Sequence, residues 1–314
     1  ERWEMPPSVL EDLLINAHLV DANHLPVPDA AREFLAYPRA KAMLRLVSIW
    51  QDSTQFNELR QLPGLHSEGE WTNDPRKARL KILEWASMLL VNTWWSLPAF
   101  IAAIKEKSPD FQRPAGDYDS WFLVENTSGK YLRGFSAWDE VDGALVRYLI
   151  TGPLHWLGFT DLASPLEDDP VSAFRLTDWA GSFLSNQPPE GFLEETGKIK
   201  VFSDARLFVP RLTPRAVRYQ VARFCQWGKE TSEGYEYQVT PDSLDRAVRQ
   251  GLKTNQLLGL LAKHAANPIP PALTQAIERW ERSGVQVRME NLTVLQITSP
   301  DILNSLKDTK AGRF

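Results

Sequence analysis

The sequence predicts an α+β fold that is predominantly helical and divided into three units. Amphipathic helical patterns dominate the N-terminal half, and short alternating segments typical of strands follow in pairs. A polar, Pro-rich segment near 185–197 then precedes a part in which strands and helices alternate. The predicted units are an N-terminal helical region (1–74), a helix-and-strand domain (75–188) and a small α/β domain (189–314).

Composition and charge limit the class of protein. The chain of 314 residues has no apolar run as long as a membrane span, and we expect no signal peptide at its start. A lone Cys225 excludes an internal disulfide and fits a reducing, cytoplasmic location. Residues 1–190 carry 17 Lys and Arg against 27 Asp and Glu, whereas residues 191–314 carry 18 against 13. Phosphate is therefore expected to be repelled by the first part and attracted by the second.

Residues 1–74 are predicted to form three helices and a connection. The first helix, at 8–20, is expected to begin at Ser8 in a capping box. Pro38 is expected to separate two further helices in a long helical run. The turn-rich residues 56–77 then read as a connection to the next unit.

Residues 75–188 show the order helix, helix, helix, strand, loop, strand. The helices are predicted at 75–91 after an Asp74 cap, at 96–111 after a Ser96 cap, and from Ser136 to Gly152. The strands are predicted in "GFTDLA" and "AFRLTD". This order is typical of a winged-helix domain, whose third helix often lies in the DNA groove.

The third helix is poorly charged for a DNA contact. Its polar side carries Asp139, Glu140 and Asp142 against a single Arg147, and the following loop adds Glu167, Asp168 and Asp169. We expect the domain to serve packing or protein contact, since acids repel phosphate. The alternative is a DNA contact. The side chains able to make it are Lys130, Arg133, Arg147 and His155.

The C-terminal part holds a denser basic segment, "RLFVPRLTPRAVRYQVAR". Its arginines are Arg206, Arg211, Arg215, Arg218 and Arg223. A helix capped by Thr213 would place several of them on one side, and Tyr219 adds a ring on which a base could stack. Phosphate contact is one interpretation, and a solvated helix face with acidic neighbours is the other.

Several spaced elements of the C-terminal part follow a recognisable order. They are the strand Tyr235–Thr240, a helix opened by Pro241 and ended by Gly251, the corner Pro268-Ile269-Pro270, Trp280, and a hairpin within Val285–Ile297. This order resembles the N-terminal domain of XPB-type helicases over about residues 197–300. Residues 24–185 are similar to stand-alone bacterial helicase-associated proteins through "LPGL", "GDYDSWF", "YLRGF" and "LITGPLHWLGFTDL". The resemblance implies a role beside a DNA motor.

Motifs of catalysis and of cofactor binding are absent from the sequence. Gly228-Lys229 continues into Glu230-Thr231 and lacks the earlier Gly of a phosphate-binding loop. The five His residues are scattered, with no H-E-x-x-H, no Cys-x-x-Cys and no G-x-S-x-G. We therefore expect no catalytic residue, no cofactor and no metal site.

The predicted function is a non-enzymatic, DNA-associated accessory or targeting module. Its expected partners are DNA, through phosphate contacts, and a helicase or other motor protein. The alternative is a protein–protein scaffold without DNA affinity. The two differ in one structural respect, which is whether Arg206, Arg211, Arg215 and Arg218 form an open strip or pair with acids.

Overall fold

The computed structural model describes residues 5–283 and divides the chain into two compact units. The first unit comprises residues 1–196 with 212–216, and the second comprises 197–211 with 217–314. Both are mixed α/β structures with small sheets. The hairpin expected within Val285–Ile297 lies outside the described residues. Among the described residues, no helix combines the length and apolar character needed to cross a membrane.

The first unit is built mainly from helices. They are α1 (Pro7–Asn16), α2 (Pro28–Ala36), α3 (Arg39–Asp52), a 3₁₀ turn (Glu58–Gln61), α4 (Pro75–Ser87), α5 (Leu97–Lys107), α6 (Ala144–Thr151), α7 (Pro153–Trp156) and α8 (Ala180–Leu184). Its strands are β1 (Leu65–Ser67), β2 (Trp95–Ser96), β3 (Leu123–Glu125), β4 (Thr160–Ala163) and β5 (Ala173–Leu176). Strands β1 and β3 pair antiparallel, and a second antiparallel sheet has the order β2-β5-β4.

Two of the predicted helix starts in this unit are confirmed and two are wrong. Asp74 accepts a hydrogen bond from the backbone of Arg76, and Ser96 accepts one from Ala99, so both cap their helices. Helix α1 begins instead at Pro7, whose fixed φ suits the first helical position, and no side chain caps it. The predicted Ser136 start is replaced by a 3₁₀ turn (Phe135–Ala137) and a π-helical turn (Asp139–Gly143) before α6.

One hydrophobic core runs through the first unit from Val9 to Phe183. Residues on both sides of position 74 contribute to it, and the predicted boundary there stays a prediction. A buried ion pair lies inside this core: Arg79 Nε is 2.7 Å from Glu58 Oε1, and Arg79 Nη2 is 2.9 Å from Glu58 Oε2. Trp50 Nε1 donates to the same carboxylate at 2.7 Å. The pair thereby joins α3, the 3₁₀ turn and α4.

The second unit combines one four-stranded sheet with helices. Its strands are β6 (Lys200–Val201), β7 (Arg206–Pro210), β8 (Gln226–Glu230) and β9 (Gly234–Gln238), in the antiparallel order β6-β7-β9-β8. Its helices are α10 (Pro241–Arg249), α11 (Thr254–His264) and α12 (Pro271–Ser283). Helix α9 (Arg215–Phe224) begins within the 212–216 segment of the first unit.

The local signals of the second unit are largely confirmed. Thr240 and Ser243 form a capping box before α10, and Gly251 follows the helix with φ +80°, a left-handed conformation that favours glycine. The Thr213 cap, which lies in the 212–216 segment of the first unit, is wrong, because Thr213 Oγ1 is buried and has no hydrogen-bond partner. Gly234 is required by close approach, since a Cβ there would lie 2.4 Å from the carbonyl oxygen of Val209.

The buried ion pair predicts a large loss of stability when one partner is removed. We expect Arg79→Met to lower the free energy of unfolding by about 3–5 kcal/mol, because Glu58 would remain charged and buried. Lys81→Met is the matched control on the same helix, since the Lys81–Glu84 pair is solvent-exposed; its cost should be at most about 1 kcal/mol. Urea unfolding followed by tryptophan fluorescence measures both. Equal losses would contradict the argument.

Cys225 is buried, and this burial raises the pKa of its thiol to about 12. An exposed thiol has a pKa of about 8.5, so the native protein should hold almost no thiolate near neutral pH. We expect a thiol reagent such as Ellman's reagent to leave the native chain unmodified and to label the urea-unfolded chain once. Fast labelling of the native chain would show that the thiol is accessible.

Candidate nucleic-acid interface

Helix α6, the predicted groove-binding helix, is covered within the first unit. No side chain between positions 141 and 151 is more than partly exposed, and Val146 and Ile150 are fully buried. Tyr148 donates a hydrogen bond to Gln61 Oε1 of the 3₁₀ turn at 3.3 Å. A helix that enters the major groove has to present polar side chains to solvent. The geometry therefore favours the packing interpretation of this helix.

Two of the acids expected to repel DNA from this helix form ion pairs with basic side chains of the chain, one at the surface and one buried. Asp139 lies 2.5 Å from Lys105 Nζ. Asp142 is buried and accepts bonds from Gln112 at 2.6 Å and from Arg113 at 2.9 and 3.2 Å. Burial raises the pKa of Asp142, and the Arg113 charge opposes that rise. The π-helical turn directs Asp142 inward, so of the three acids on this helix only Asp139 and Glu140 remain exposed.

The secondary candidates differ in exposure, since Arg147 and His155 are half-buried whereas Lys130 and Arg133 are exposed. Arg147 donates to the carbonyl oxygen of Val171 at 3.0 Å, and His155 Nδ1 lies 2.7 Å from the carbonyl oxygen of Thr160. Both side chains therefore take part in packing. Lys130 and Arg133 are exposed, and the Arg133 guanidinium lies 4.9 Å from the ring centre of Phe122 and 5.2 Å from that of Tyr131.

Three of the four arginines that distinguish the two functional hypotheses pair with acids. Arg206 Nε lies 2.7 Å from Asp204 Oδ2, and Arg211 Nη2 lies 2.8 Å from Glu230 Oε1. Arg215, counted with the first unit, lies 3.3 Å from Glu195 Oε1. These guanidinium groups are not an open strip of charge. Tyr219 and Arg223, the other two candidates, are half-buried on α9.

Arg218 contacts aromatic rings instead. Its guanidinium lies 3.3 Å from the ring centre of Tyr235 and 5.6 Å from that of Trp227, and its Nε donates to Tyr237 Oη at 3.3 Å. Arg211 lies 5.3 Å from the ring centre of Tyr235. We call Arg211, Arg218, Trp227 and Tyr235 the Arg–aromatic stack.

Trp227 presents the stack to solvent. Its side chain is 49% exposed, and it packs edge-on against Tyr237 at 5.3 Å. It belongs to β8, whose five residues are all exposed and which lies at the edge of the sheet formed by the described residues. Because Trp227 lies opposite Tyr237 in the sheet, its ring is held in place by neighbouring aromatic side chains. A half-exposed, supported indole is a surface on which a base or another planar group can stack.

Sequence reasoning missed both aromatic residues of this stack. A signal was present in "YEYQVT", since strand alternation puts Tyr235 and Tyr237 on one face. The signal for Trp227 was absent, because the β8–β9 register contains a bulge between Trp227 and Glu230 that sequence spacing does not reveal. Arg218 joins the stack from α9 and was among the predicted residues.

The side chains of the stack are suited to binding. Within residues 5–283, the structure shows no group of three or more His, Cys, Asp or Glu side chains that could hold a metal ion. The stack offers planar rings and guanidinium groups, which bind bases, aromatic side chains and anions.

Comparison with known proteins identifies one region. Residues 199–313 match the family model of the helicase conserved C-terminal domain. A comparison with curated proteins finds no match. The matched region contains the whole Arg–aromatic stack, and it makes the C-terminal part of this chain similar to a domain of helicase-family proteins.

Arg211 is positioned to hold the turn between β8 and β9. Its side chain donates to the carbonyl oxygens of Thr231 and Ser232, each at 2.8 Å. We expect Arg211→Ala to speed amide hydrogen exchange at residues 232–234 by about tenfold, equivalent to about 1.4 kcal/mol of local opening. Arg206→Ala is the control, because Arg206 pairs with Asp204 and does not contact this turn. Unchanged exchange in Arg211→Ala would contradict the assignment.

Proposed function

We propose that this chain is a non-enzymatic accessory module that works with a DNA helicase or another DNA motor. The observation that carries the proposal is that the Arg–aromatic stack lies inside the region matching a helicase domain. The sequence lacks the phosphate-binding loop with which a motor holds triphosphate and magnesium. The motor would therefore reside elsewhere, on the same polypeptide or on a partner, in a reducing compartment such as the cytoplasm.

The finer architecture forms part of this proposal. We propose that residues 75–188 are a winged-helix domain and that residues 189–314 resemble the N-terminal domain of XPB-type helicases. The sheet order β2-β5-β4, with α4, α5, α6 and the four-residue α7 preceding β4, supports the first assignment. The capping box at Thr240 and the glycine stop at Gly251 support the second. The covered helix α6 supports a role of the proposed winged-helix domain in packing and protein contact.

The proposed nucleic-acid contact is made by stacking more than by charge. Arg206 and Arg211 already have carboxylate partners, so few cations remain to neutralise phosphates. Bases in a duplex are stacked on each other, whereas those of a single strand can stack on Trp227. Single-stranded DNA should therefore bind better than duplex DNA. The affinity should depend only weakly on salt, because few phosphates are contacted. Each phosphate contact on a single strand contributes about −0.7 to the slope of the logarithm of affinity against the logarithm of salt concentration.

A specific observation favours a second function, a protein–protein scaffold without DNA affinity. The ion pairs of Arg206, Arg211 and Arg215 satisfy the charges that a DNA surface would leave open. Trp and Arg side chains are also the residues most often found at the centre of protein interfaces. On this alternative, the Arg–aromatic stack would bind a planar or aromatic side chain of a partner protein.

The central test is Trp227→Ala in the whole chain. We expect it to weaken binding of labelled single-stranded DNA by about 1–3 kcal/mol, which is roughly 5- to 150-fold, because the stacked base loses its platform. Trp94→Ala is the matched control: Trp94 is 47% exposed and also lies beneath a guanidinium, that of Arg175 at 5.0 Å. Fluorescence anisotropy across a salt series, with single-stranded, forked and duplex DNA, measures the effect.

The outcomes of this experiment separate the two functions. A loss of affinity in Trp227→Ala alone supports the nucleic-acid contact at the stack. Equal losses in both variants would mean that the contact is not at Trp227. No binding of any DNA form by the wild-type chain at low salt would exclude the DNA role and leave the scaffold.

A further inference from the structure

Arg218 differs from the other arginines of the basic segment in its partners. Arg206, Arg211 and Arg215 each pair with an acid, whereas the described part of the chain gives Arg218 no acidic partner. Its side chain is half-buried, so water solvates its charge less fully than that of an exposed arginine. A cation in such a position is best stabilised by a nearby anion. We therefore looked for the anion that this guanidinium group could bind.

The Arg–aromatic stack holds the guanidinium group of Arg218 in place. Its Nε donates to the hydroxyl of Tyr237 at 3.3 Å, and Tyr237 is buried. Its centre lies 3.3 Å from the ring centre of Tyr235. Stacking on a ring uses the face of a guanidinium group and leaves its N–H donors at the edge available. The group is thus preorganised, and a ligand would bind it without ordering a mobile side chain.

The remaining donors of Arg218 are open to a ligand. Of its N–H groups, only the one on Nε has an acceptor among the described residues. Both Nη atoms are accessible from solvent, since neither belongs to the buried polar atoms that lack a partner. Paired N–H donors on one guanidinium group match two oxygens of a phosphate group or a carboxylate. The structure therefore provides a positioned donor pair for an oxyanion.

This donor pair lies beside the exposed indole of Trp227. The Arg218 guanidinium is 5.6 Å from the ring centre of Trp227, whose side chain is 49% exposed. Sites for single-stranded nucleic acid combine rings on which bases stack with cations that follow the backbone. A nucleotide whose base lies on the indole brings its own phosphate close to the edge of the stack. One ring and one donor pair are the two features needed to bind one nucleotide.

We propose that Arg218 binds the phosphate of the nucleotide whose base stacks on Trp227, so that the stack recognises a phosphorylated nucleotide and not a bare planar group. This inference rests on the proposed function and specifies its ligand. The edge of guanine also accepts paired donors from arginine, but it is uncharged and would leave the Arg218 charge without a counter-ion. A single phosphate contact agrees with the weak salt dependence expected for single-stranded DNA.

The test compares thymidine with thymidine 5′-monophosphate, which differ in the phosphate alone. Each is titrated against the whole chain at constant, low ionic strength. The indole N–H NMR signal of Trp227 and the Nε–Hε signal of Arg218 are followed, assigned with Trp227→Phe and Arg218→Lys. We expect the wild type to bind the monophosphate at least about tenfold more tightly than thymidine, a difference of about 1.4 kcal/mol. Arg218→Gln should bind the two compounds alike.

Arg223→Gln is the matched control. Arg223 lies on the same helix and is also half-buried, but it contacts no ring of the stack among the described residues. This variant removes the same charge and should keep the tenfold preference. If Arg218→Gln fails to fold, Arg218→Lys serves instead, because an ammonium group keeps the charge and loses the paired donors. A smaller preference is then expected, and an unchanged preference overturns the proposal.

The outcomes separate this inference from the proposed function. Equal binding of thymidine and its monophosphate by the wild type would overturn the phosphate contact and leave base stacking intact. A preference that persists in Arg218→Gln, or that falls equally in Arg223→Gln, would also overturn it. A loss of deoxyguanosine binding in Arg218→Gln with an unchanged monophosphate preference would assign Arg218 to the guanine edge instead. Binding of neither compound would overturn the inference together with the nucleic-acid contact at the stack.

Discussion

The buried pair of Arg79 and Glu58 is the interaction on which the arrangement of the first unit depends. A charged pair inside a core is stable only when its hydrogen bonds are satisfied, and here Trp50 and several backbone carbonyl groups complete them. The pair fixes the 3₁₀ turn that contains Glu58. The same turn supplies Gln61, which bonds Tyr148 and helps to cover α6. The buried ion pair thus contributes to covering α6, the helix that a DNA-binding winged-helix domain would expose to solvent.

Most of the charged side chains considered for DNA contact form ion pairs within the protein. Acids that made the third helix look repulsive to DNA are neutralised by Lys105 and Arg113, and arginines that suggested a phosphate surface are paired with nearby carboxylates. Among the described residues, the second unit also presents the exposed indole of Trp227, supported by aromatic rings and a guanidinium group. Such a surface suits planar groups, and for this reason we propose recognition mainly by stacking in place of general phosphate attraction.

A helicase-related role and a stacking surface are compatible. A motor that separates strands produces unstacked bases, and a module that holds them would act on the product of that step. The similarity of residues 199–313 to a helicase domain and the lack of a phosphate-binding loop in the sequence agree with a module of this kind. The scaffold alternative uses the same exposed rings for a protein partner. The two functions therefore differ in which planar group binds, a base of DNA or a side chain of a protein.

The sequence by itself determined the local structure. Caps at Asp74, Ser96 and Thr240 and the glycine stop at Gly251 depend on neighbouring residues, and these were predicted correctly. The start at Ser8 was wrong because Pro7 takes the first helical position, and those at Ser136 and Thr213 were wrong because Ser136 lies in a 3₁₀ turn and Thr213 Oγ1 accepts no hydrogen bond. Only the tertiary structure decided which charges are neutralised and which ring is exposed. The pairs Arg113–Asp142 and Arg211–Glu230 join residues far apart in the chain. Local spacing carries no information about such contacts, since they form when distant elements pack.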